Sequence, residues 1–255
     1  MIFYFSATGN SKYTAQRIQA VTGDRLIPIP DWLRQPEQTV PVPPGESVGI
    51  VSPTYFWGLP SIVQTFLERL TLERQPDYLW FAATYGTTPG QIGHFAQEIL
   101  EQKGLTVNGQ FSVKMPDTWT PTFNLSDLEK VRRINAAAEG QIDFLIQHVR
   151  QRAAGDFIRR KVPVFAAKLF YEESYDKMRE TRRLSVEDSC VGCGLCARNC
   201  PVSAIQMQEG KPTWQKERCV MCLGCLHRCP QFAIQYGRHT REHGQYVHPD
   251  YEEKE

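Results

Sequence analysis

The chain has 255 residues, 41% of them hydrophobic and 22% charged, with 29 Lys+Arg against 28 Asp+Glu and a formal net charge of +1. That composition is globular and excludes a disordered or fibrous chain. The balanced charge argues against a protein whose ligand is the phosphate backbone of nucleic acid.

The length suggests about 1.7 domains on a prior of about 150 residues each. No apolar run approaches the roughly 20 residues that span a bilayer. The opening Met1-Ile2-Phe3-Tyr4-Phe5 lacks the charged flank of a secretion signal, so the expected location is the cytoplasm. This apolar run reads as a strand buried on both faces of a parallel sheet. Ser6-Ala7-Thr8-Gly9-Asn10-Ser11 follows, then a helix from about Lys12 to Val21, ended by Gly23. A hydroxyl- and glycine-rich turn between a buried strand and a helix start suits a phosphate. Free amides and the positive end of the helix dipole point at the anion, and Ser6, Thr8 and Ser11 can add hydroxyl donors. There is no Walker lysine and no G-x-G-x-x-G run, which leaves ATP and dinucleotide readings unsupported.

Further strands are expected at Ser47 to Pro53 and Leu79 to Thr84, with helices at Pro60 to Leu70 and Gly90 to Lys103. Alternating strands and helices favour a doubly wound α/β sheet whose ligand sits at the carboxyl ends of the strands. Three loops leave those ends: Ser6–Ser11, Pro53–Gly58 and Thr84–Gly90. Three consecutive aromatics, Tyr55-Phe56-Trp57, are costly on a surface unless something covers them. A flat conjugated ring would stack on them; anchoring of the loop to the core is the other reading for any one of the three.

Over residues 1–155 this pattern resembles the flavodoxins, whose flavin phosphate loop is similar to Ser6-x-Thr8-Gly9-Asn10-Ser11. The resemblance implies a parallel sheet of order 2-1-3-4-5 binding FMN. Ser6, Thr8, Gly9, Asn10 and Ser11 would hold the phosphate. Tyr55, Phe56 and Trp57 would offer aromatic faces, with Pro53, Thr54 and Gly58 alongside. Thr84, Tyr85, Gly86 and Thr87 would line the opposite edge of the ring. Unlike single-domain flavodoxins, the second and third loops carry no acidic cluster.

Ser126-Asp127-Leu128-Glu129 reads as a capping box. Leu128, Val131, Ile134, Ala138, Ile142, Leu145 and Val149 then recur at spacings of three and four, an apolar helix stripe of core type reaching about Arg152. Residues 150–183 hold ten Lys/Arg and five Asp/Glu. The stretch 156–184 is expected to be a helical connector, with a helix over Phe165 to Arg183 packed along the first domain. A docking patch for an acidic electron-transfer partner is the second reading.

All eight cysteines fall between Cys190 and Cys229. They run Cys190-x2-Cys193-x2-Cys196-x3-Cys200-Pro201 and Cys219-x2-Cys222-x2-Cys225-x3-Cys229-Pro230. The second run repeats the first at an offset of 29 positions, and Val191/Val220, Pro201/Pro230, Ala204/Ala233, Ile205/Ile234 and Gln206/Gln235 match as well. So dense a device in a chain without a secretion signal favours metal over disulfides. Two zinc sites would need neither a third evenly spaced cysteine in each run nor the proline after the fourth.

The pattern resembles the bacterial two-cluster ferredoxins, which implies a small α+β domain over 185–237 holding two 4Fe-4S clusters. By that resemblance Cys190, Cys193, Cys196 and Cys229 would ligate one cluster, and Cys219, Cys222, Cys225 and Cys200 the other. Gly192, Gly194 and Gly224 would let backbone amides approach the sulfides. Residues 238–255 read as a polar, mobile tail carrying His239, His243 and His248. The first two would face a metal only if the tail were helical. His94, His148 and His227 carry no catalytic pattern.

The whole chain resembles the flavodoxin–ferredoxin fusion proteins found mostly in anaerobes. That resemblance implies an electron-transfer protein relaying low-potential electrons among FMN, two clusters and a redox partner protein, with a homodimer conceivable. The alternative is a flavin-dependent reductase acting on a small substrate or exchanging electrons with NAD(P)H.

Overall fold

The structure, a computed structural model, describes residues 1–250. Its centre is a parallel sheet of six strands: β1 (Ile2–Tyr4), β2 (Leu26–Pro28), β3 (Ser47–Pro53), β4 (Tyr78–Tyr85), β5 (Gly109–Lys114) and β6 (Gly155–Asp156). They lie in the order β2-β1-β3-β4-β5-β6. The expected order is present, extended by a two-residue sixth strand at the edge. A two-residue parallel pair, Thr39–Val40 with Thr71–Leu72, stands apart from this sheet.

Successive side chains of a strand point to opposite faces, and here both faces are buried. Phe3, Phe5, Ile50, Leu79 and Phe81 enter one core, beneath α3 (Ser61–Arg69) and α4 (Ile92–Glu101). Ile2, Val51, Trp80 and Ala82 enter the other, beneath α1 (Asn10–Thr22) and α5 (Leu128–Arg150). The short helix α2 (Ile29–Leu33) adds Trp32 to the first core. Helix α1 ends at Gly23, which is left-handed at φ 75° and donates its N–H to the Gln19 carbonyl.

The capping box expected at Ser126 is displaced by one residue. The Ser126 amide is held outside the helix by Asn124 Oδ1 at 2.7 Å, and Asp127 becomes the cap, accepting from the Lys130 amide at 2.9 Å. The apolar stripe accordingly begins at Val131, and Leu128 is exposed.

The connector helix α6 spans Val164–Met178, shorter than expected, and a 3-10 turn follows at Thr181–Arg183. Its Tyr175 joins three parts of the fold: the hydroxyl accepts from the Ser61 amide and donates to the Val220 carbonyl. The C-terminal domain pairs β7 (Leu184–Val186) with β10 (Ile234–Tyr236) and β8 (Ile205–Gln208) with β9 (Lys211–Trp214), all antiparallel. Two one-turn helices complete it, α7 (Leu195–Arg198) and α8 (Gly224–His227). The duplication persists in three dimensions: the Ala204 amide donates to Cys200 Sγ at 3.2 Å, and the Ala233 amide to Cys229 Sγ at 3.3 Å.

The expectation of a mobile tail is overturned for residues 238–250; residues 251–255 lie outside the described chain. Helix α9 (Thr240–His243) is followed by a strap that crosses both domains. The Leu125 amide donates to His243 O, Gln245 Nε2 donates to the Leu226 and Cys229 carbonyls, and the His248 amide donates to Thr8 O. A polar composition concealed the reason. Tyr246 is buried with Leu125 and Val131, and the His248 ring stacks on Tyr13 at 4.0 Å. His239 and His243 do become helical neighbours, but His243 Nδ1 is engaged by Thr120 O.

Candidate functional site

A cavity of about 370 Å³ opens at the carboxyl ends of β1, β3, β4 and β5. All three loops singled out in the sequence converge on it. Ser6, Thr8, Asn10, Ser11, Pro53, Thr54, Tyr55, Phe56, Trp57, Thr84, Tyr85, Gly86 and Thr87 form its wall. Gly9 and Gly58 instead shape the loops behind. Gly9 precedes α1 at φ 97°, and a Cβ on Gly58 would lie 2.5 Å from the Tyr171 ring.

At one end of the cavity, α1 begins with no side-chain cap and no acidic residue in its first turn. Its leading amides therefore lack the usual partner, and such a terminus favours an anion. The Asn10 side chain is already committed, accepting from Tyr246 Oη at 2.8 Å and donating to Pro116 O at 3.3 Å. Only its backbone amide faces a ligand freely. Ser11 Oγ and Thr84 Oγ1 hydrogen-bond at 2.8 Å and tie the first loop to the third.

The second loop is a closed two-residue turn. The Tyr55 amide donates to Gly58 O at 3.0 Å and the Gly58 amide to Tyr55 O at 2.8 Å. Phe56 and Trp57 both occupy the left-handed region, at φ 47° and 68°. Turns of this shape ordinarily take Asn-Gly, and each bulky residue there costs about 1–3 kcal/mol. The surroundings hold the strain in place. The Gln91 amide donates to Trp57 O at 2.9 Å, and Gly90 packs so closely that a Cβ on it would lie 2.3 Å from Trp57 Cα. Phe56 lies between Trp119 and Tyr175, and Trp57 lies on Phe170 at 4.2 Å. Tyr55 turns toward Phe5 and Tyr175 and takes the anchoring role.

A fourth wall, Met115 to Trp119, was missed in the sequence because strand β5 before it was missed. It brings Asp117, the acidic group the other loops lack. The carboxylate accepts from the Trp119 amide at 3.1 Å and also from the Thr87 amide. It lies against Gly86, where an added Cβ would sit 2.2 Å from Asp117 Cβ. Burial pushes this carboxyl above the ordinary carboxylate range. Among the described residues no Lys, Arg or His lines the cavity.

The far wall comes from the connector and the C-terminal domain. Phe170, Ser174 and Met178 of α6 and the run Met221-Cys222-Leu223 close the cavity. Two much smaller cavities lie beyond. Cys200, Cys219, Cys222 and Cys225 surround one of about 30 Å³; Cys190, Cys193, Cys196 and Cys229 surround one of about 20 Å³. Residues 1–144 match the family model described as a flavodoxin domain, and residues 189–246 the one described as a 4Fe-4S dicluster domain. The chain belongs to the flavodoxin family.

It is a flavodoxin–ferredoxin fusion, with an electron-transfer or redox role. Among curated proteins, none matches the chain. One solved structure similar to part of the chain is that of the Trp repressor binding protein from Bacillus subtilis. It has 11% identity and a TM-score of 0.33 over 55% of this chain and 97% of its own. Among the described residues no helix is long and apolar enough to cross a membrane.

The flavodoxin domain implies FMN and the dicluster domain iron–sulfur clusters, and the residues present fit both. Thr54 Oγ1 is buried on the large cavity wall without a hydrogen-bond partner, the state of a group that meets a polar ligand. The eight cysteines are free thiols. They surround cavities rather than converge on a point, as a cube with four corners requires. Burial, then neighbouring sulfur, pushes Cys222 up to about 12, and Cys225 rises for the same reasons. Thiols so placed ionise together only when a cation offsets the charge.

The two cysteine loops differ where the first has glycine. Gly192 and Gly194 are left-handed at φ 70° and 75°; their counterparts Met221 and Leu223 hold φ 54° and 53° with full side chains. The Gly224 amide donates to the Cys222 sulfur, and a Cβ on Gly224 would meet protein atoms only at ordinary contact distance, Ala7 O and Cys222 Sγ at 3.6 Å. Met221 and Leu223 are buried at the boundary with the flavodoxin cavity. His227 seals that boundary: Nε2–H donates to Thr118 O at 2.8 Å and Nδ1 accepts from the Tyr246 amide at 3.2 Å. Burial lowers it to about 4, in keeping with a neutral ring.

Proposed function

We propose that the chain is an electron carrier in which FMN exchanges electrons directly with one of its own clusters. One observation carries the reading: Cys222 shares a cavity wall with Phe56, Thr84 and Tyr85. In this reading Ser6, Thr8, Gly9, Asn10 and Ser11 hold the FMN phosphate, with Asn10 acting through its backbone. Phe56, Trp57 and Tyr85 flank the ring, and Thr54 meets its polar edge. Cys200, Cys219, Cys222 and Cys225 ligate the inner cluster; Cys190, Cys193, Cys196 and Cys229 ligate the outer one. When bound, FMN supplies two-electron capacity released one electron at a time.

The chain's own residues supply the setting. Met221 and Leu223 exclude water between the two stations, the strained Phe56-Trp57 turn holds the aromatic faces without rearrangement, and Asp117 places a carboxyl group beside Gly86. Electrons are exchanged with an external redox protein.

Anaerobically purified protein should contain one FMN and about eight irons per chain. Cys222→Ser should lower the iron to about four and slow electron transfer between flavin and clusters, while Cys193→Ser should leave flavin reduction by the inner cluster intact. Equal effects of the two substitutions would end the reading. A flavin-dependent reductase is the second reading, favoured by the carboxyl of Asp117 on the cavity wall. Bleaching of the flavin by stoichiometric NADH or NADPH would decide for it.

A further inference from the structure

Four large apolar side chains on one short stretch of α6 face solvent: Val164 (41% exposed), Phe165 (77%), Leu169 (57%) and Phe170 (37%). The rest of the helix behaves as a connector should, with Ala167 and Tyr175 buried and the Tyr175 hydroxyl bonded to both Ser61 and Val220. Isolated exposed apolar residues are ordinary, but a contiguous group rimmed by charge marks a contact surface.

The location gives the group its meaning. Phe170 lines the flavin cavity and packs on Trp57. The preceding segment is pinned to the third loop: Thr88 Oγ1 donates to Arg160 O at 3.1 Å, and Gln91 Nε2 donates to Val162 O. The exposed group therefore forms part of the rim of the cavity that holds FMN.

Charge selects the partner. From Phe157 to Tyr171 the chain carries Arg159, Arg160, Lys161 and Lys168 and no acid. Lys161 is paired with Asp156; Arg159, Arg160 and Lys168 form no ion pair among the described residues. Glu172 and Glu173 lie on the next turn of α6 and bound the positive area on that side.

We infer that the outer face of α6, with residues 159–161 before it, is the docking surface for an acidic protein electron carrier that reaches the cavity at its flavin edge. The inference rests on the relay proposed above and names where and to what that relay connects. Unpaired cations attract an acidic partner from a distance, and the apolar centre holds it once docked. One electron passes from the reduced carrier to this chain, oxidising the carrier by one equivalent; no bond or proton is exchanged. The opposite direction balances in the same way.

The test uses the holoprotein and a reduced, acidic plant-type 2Fe-2S ferredoxin, mixed anaerobically in a stopped-flow instrument. The second-order rate with wild-type protein should fall at least about tenfold between low and high salt, because screening shortens the reach of the cations. Phe165→Ser/Leu169→Ser and Arg159→Glu/Arg160→Glu/Lys168→Glu should each lower the low-salt rate about tenfold or more. The charge variant should also lose the salt dependence. Reduction by dithionite, FMN content and iron content should stay at wild-type values in both variants.

Unchanged ferredoxin rates in both variants would overturn the inference. So would a dimer, seen by sedimentation, that the apolar variant dissociates. Salt-sensitive binding to phosphatidylserine vesicles, lost in the variants while the ferredoxin rate holds, would also overturn it. None of these results touches transfer between FMN and the inner cluster, which the Cys222→Ser comparison reads separately.

Discussion

The hydroxyl of Tyr246 donates to Asn10 Oδ1 at 2.8 Å, joining positions 236 residues apart in the chain. Asn10 opens the helix that begins at the cavity wall, and Tyr246 belongs to a strap that has already passed both cysteine loops. The same hydroxyl reaches Asn135 Oδ1 at 3.1 Å. Tyr246→Phe leaves the buried amide oxygen of Asn10 short of a donor, which costs about 1–3 kcal/mol. Urea unfolding should register that loss, and FMN should dissociate faster, with iron content unchanged. Wild-type values for both unfolding and release would show that the strap does not brace the phosphate loop.

Met221 offers a test of strain against packing. Met221→Gly relieves a left-handed backbone worth about 1–3 kcal/mol. It also removes a side chain that is 3% exposed, a loss of about 2–5 kcal/mol at buried positions. Packing should win by about 1–2 kcal/mol, and flavin fluorescence should become more accessible to iodide. At the matching place in the first loop, Gly192→Ala should lower stability, since a Cβ there would lie 2.6 Å from Gly210 O, and leave the flavin untouched. Identical quenching in the two variants would contradict this division of labour.

Asp117 has a raised carboxyl pKa, so the sign is opposite to that of a salt-bridged acid. The folded state holds the proton more tightly than the unfolded state. The favourable contribution is present below the ordinary value of 3.8 and is lost as pH rises through the raised folded value. Asp117→Asn should remove that fall, leaving the apoprotein as stable as wild type or more so at neutral pH. In the holoprotein the same change removes a negative charge beside the ring and should raise the flavin potential at neutral pH. A potential that stays put would remove Asp117 from the flavin environment.

His248 behaves in the reverse direction. Burial beside Tyr13 lowers its pKa, with Asp250 and Glu139 pulling it back up. The stability it adds is therefore present above the ordinary value of 6.5 and is lost as pH falls through the lowered folded value. Flavin retention should weaken over that acidic range in the wild type. His248→Phe keeps the stack on Tyr13 and should flatten this dependence; an unchanged pH profile would free the strap from blame.

Much of the flavodoxin half could be read from the chain. Buried strands of Val, Ile and Phe and a glycine-bearing turn before a helix are local patterns, and β3 has the expected limits. The crossed sets of four thiols implied by the ferredoxin resemblance are the sets that line the two small cavities. What escaped reading was determined by distant contacts. Gly109–Lys114 carries only Phe111 and Val113 as a weak alternation, so β5 was missed, and with it Asp117 and Trp119. The same rule that found the other loops, a polar turn after a buried strand, would have found this one. Nothing local in Gln245-Tyr246-Val247-His248 announces a strap; its order comes from Asn10, Tyr13 and His227, which lie far away in the chain.

A duplicated pair of loops with identical halves would have neither front nor back. Here one copy keeps glycine at both left-handed positions and the other holds the same backbone with Met221 and Leu223. Those two side chains give the copy a face that fits only one neighbour. The repeat has thereby become an orientation: one cysteine loop is turned inward toward the large cavity, the other left facing the surroundings.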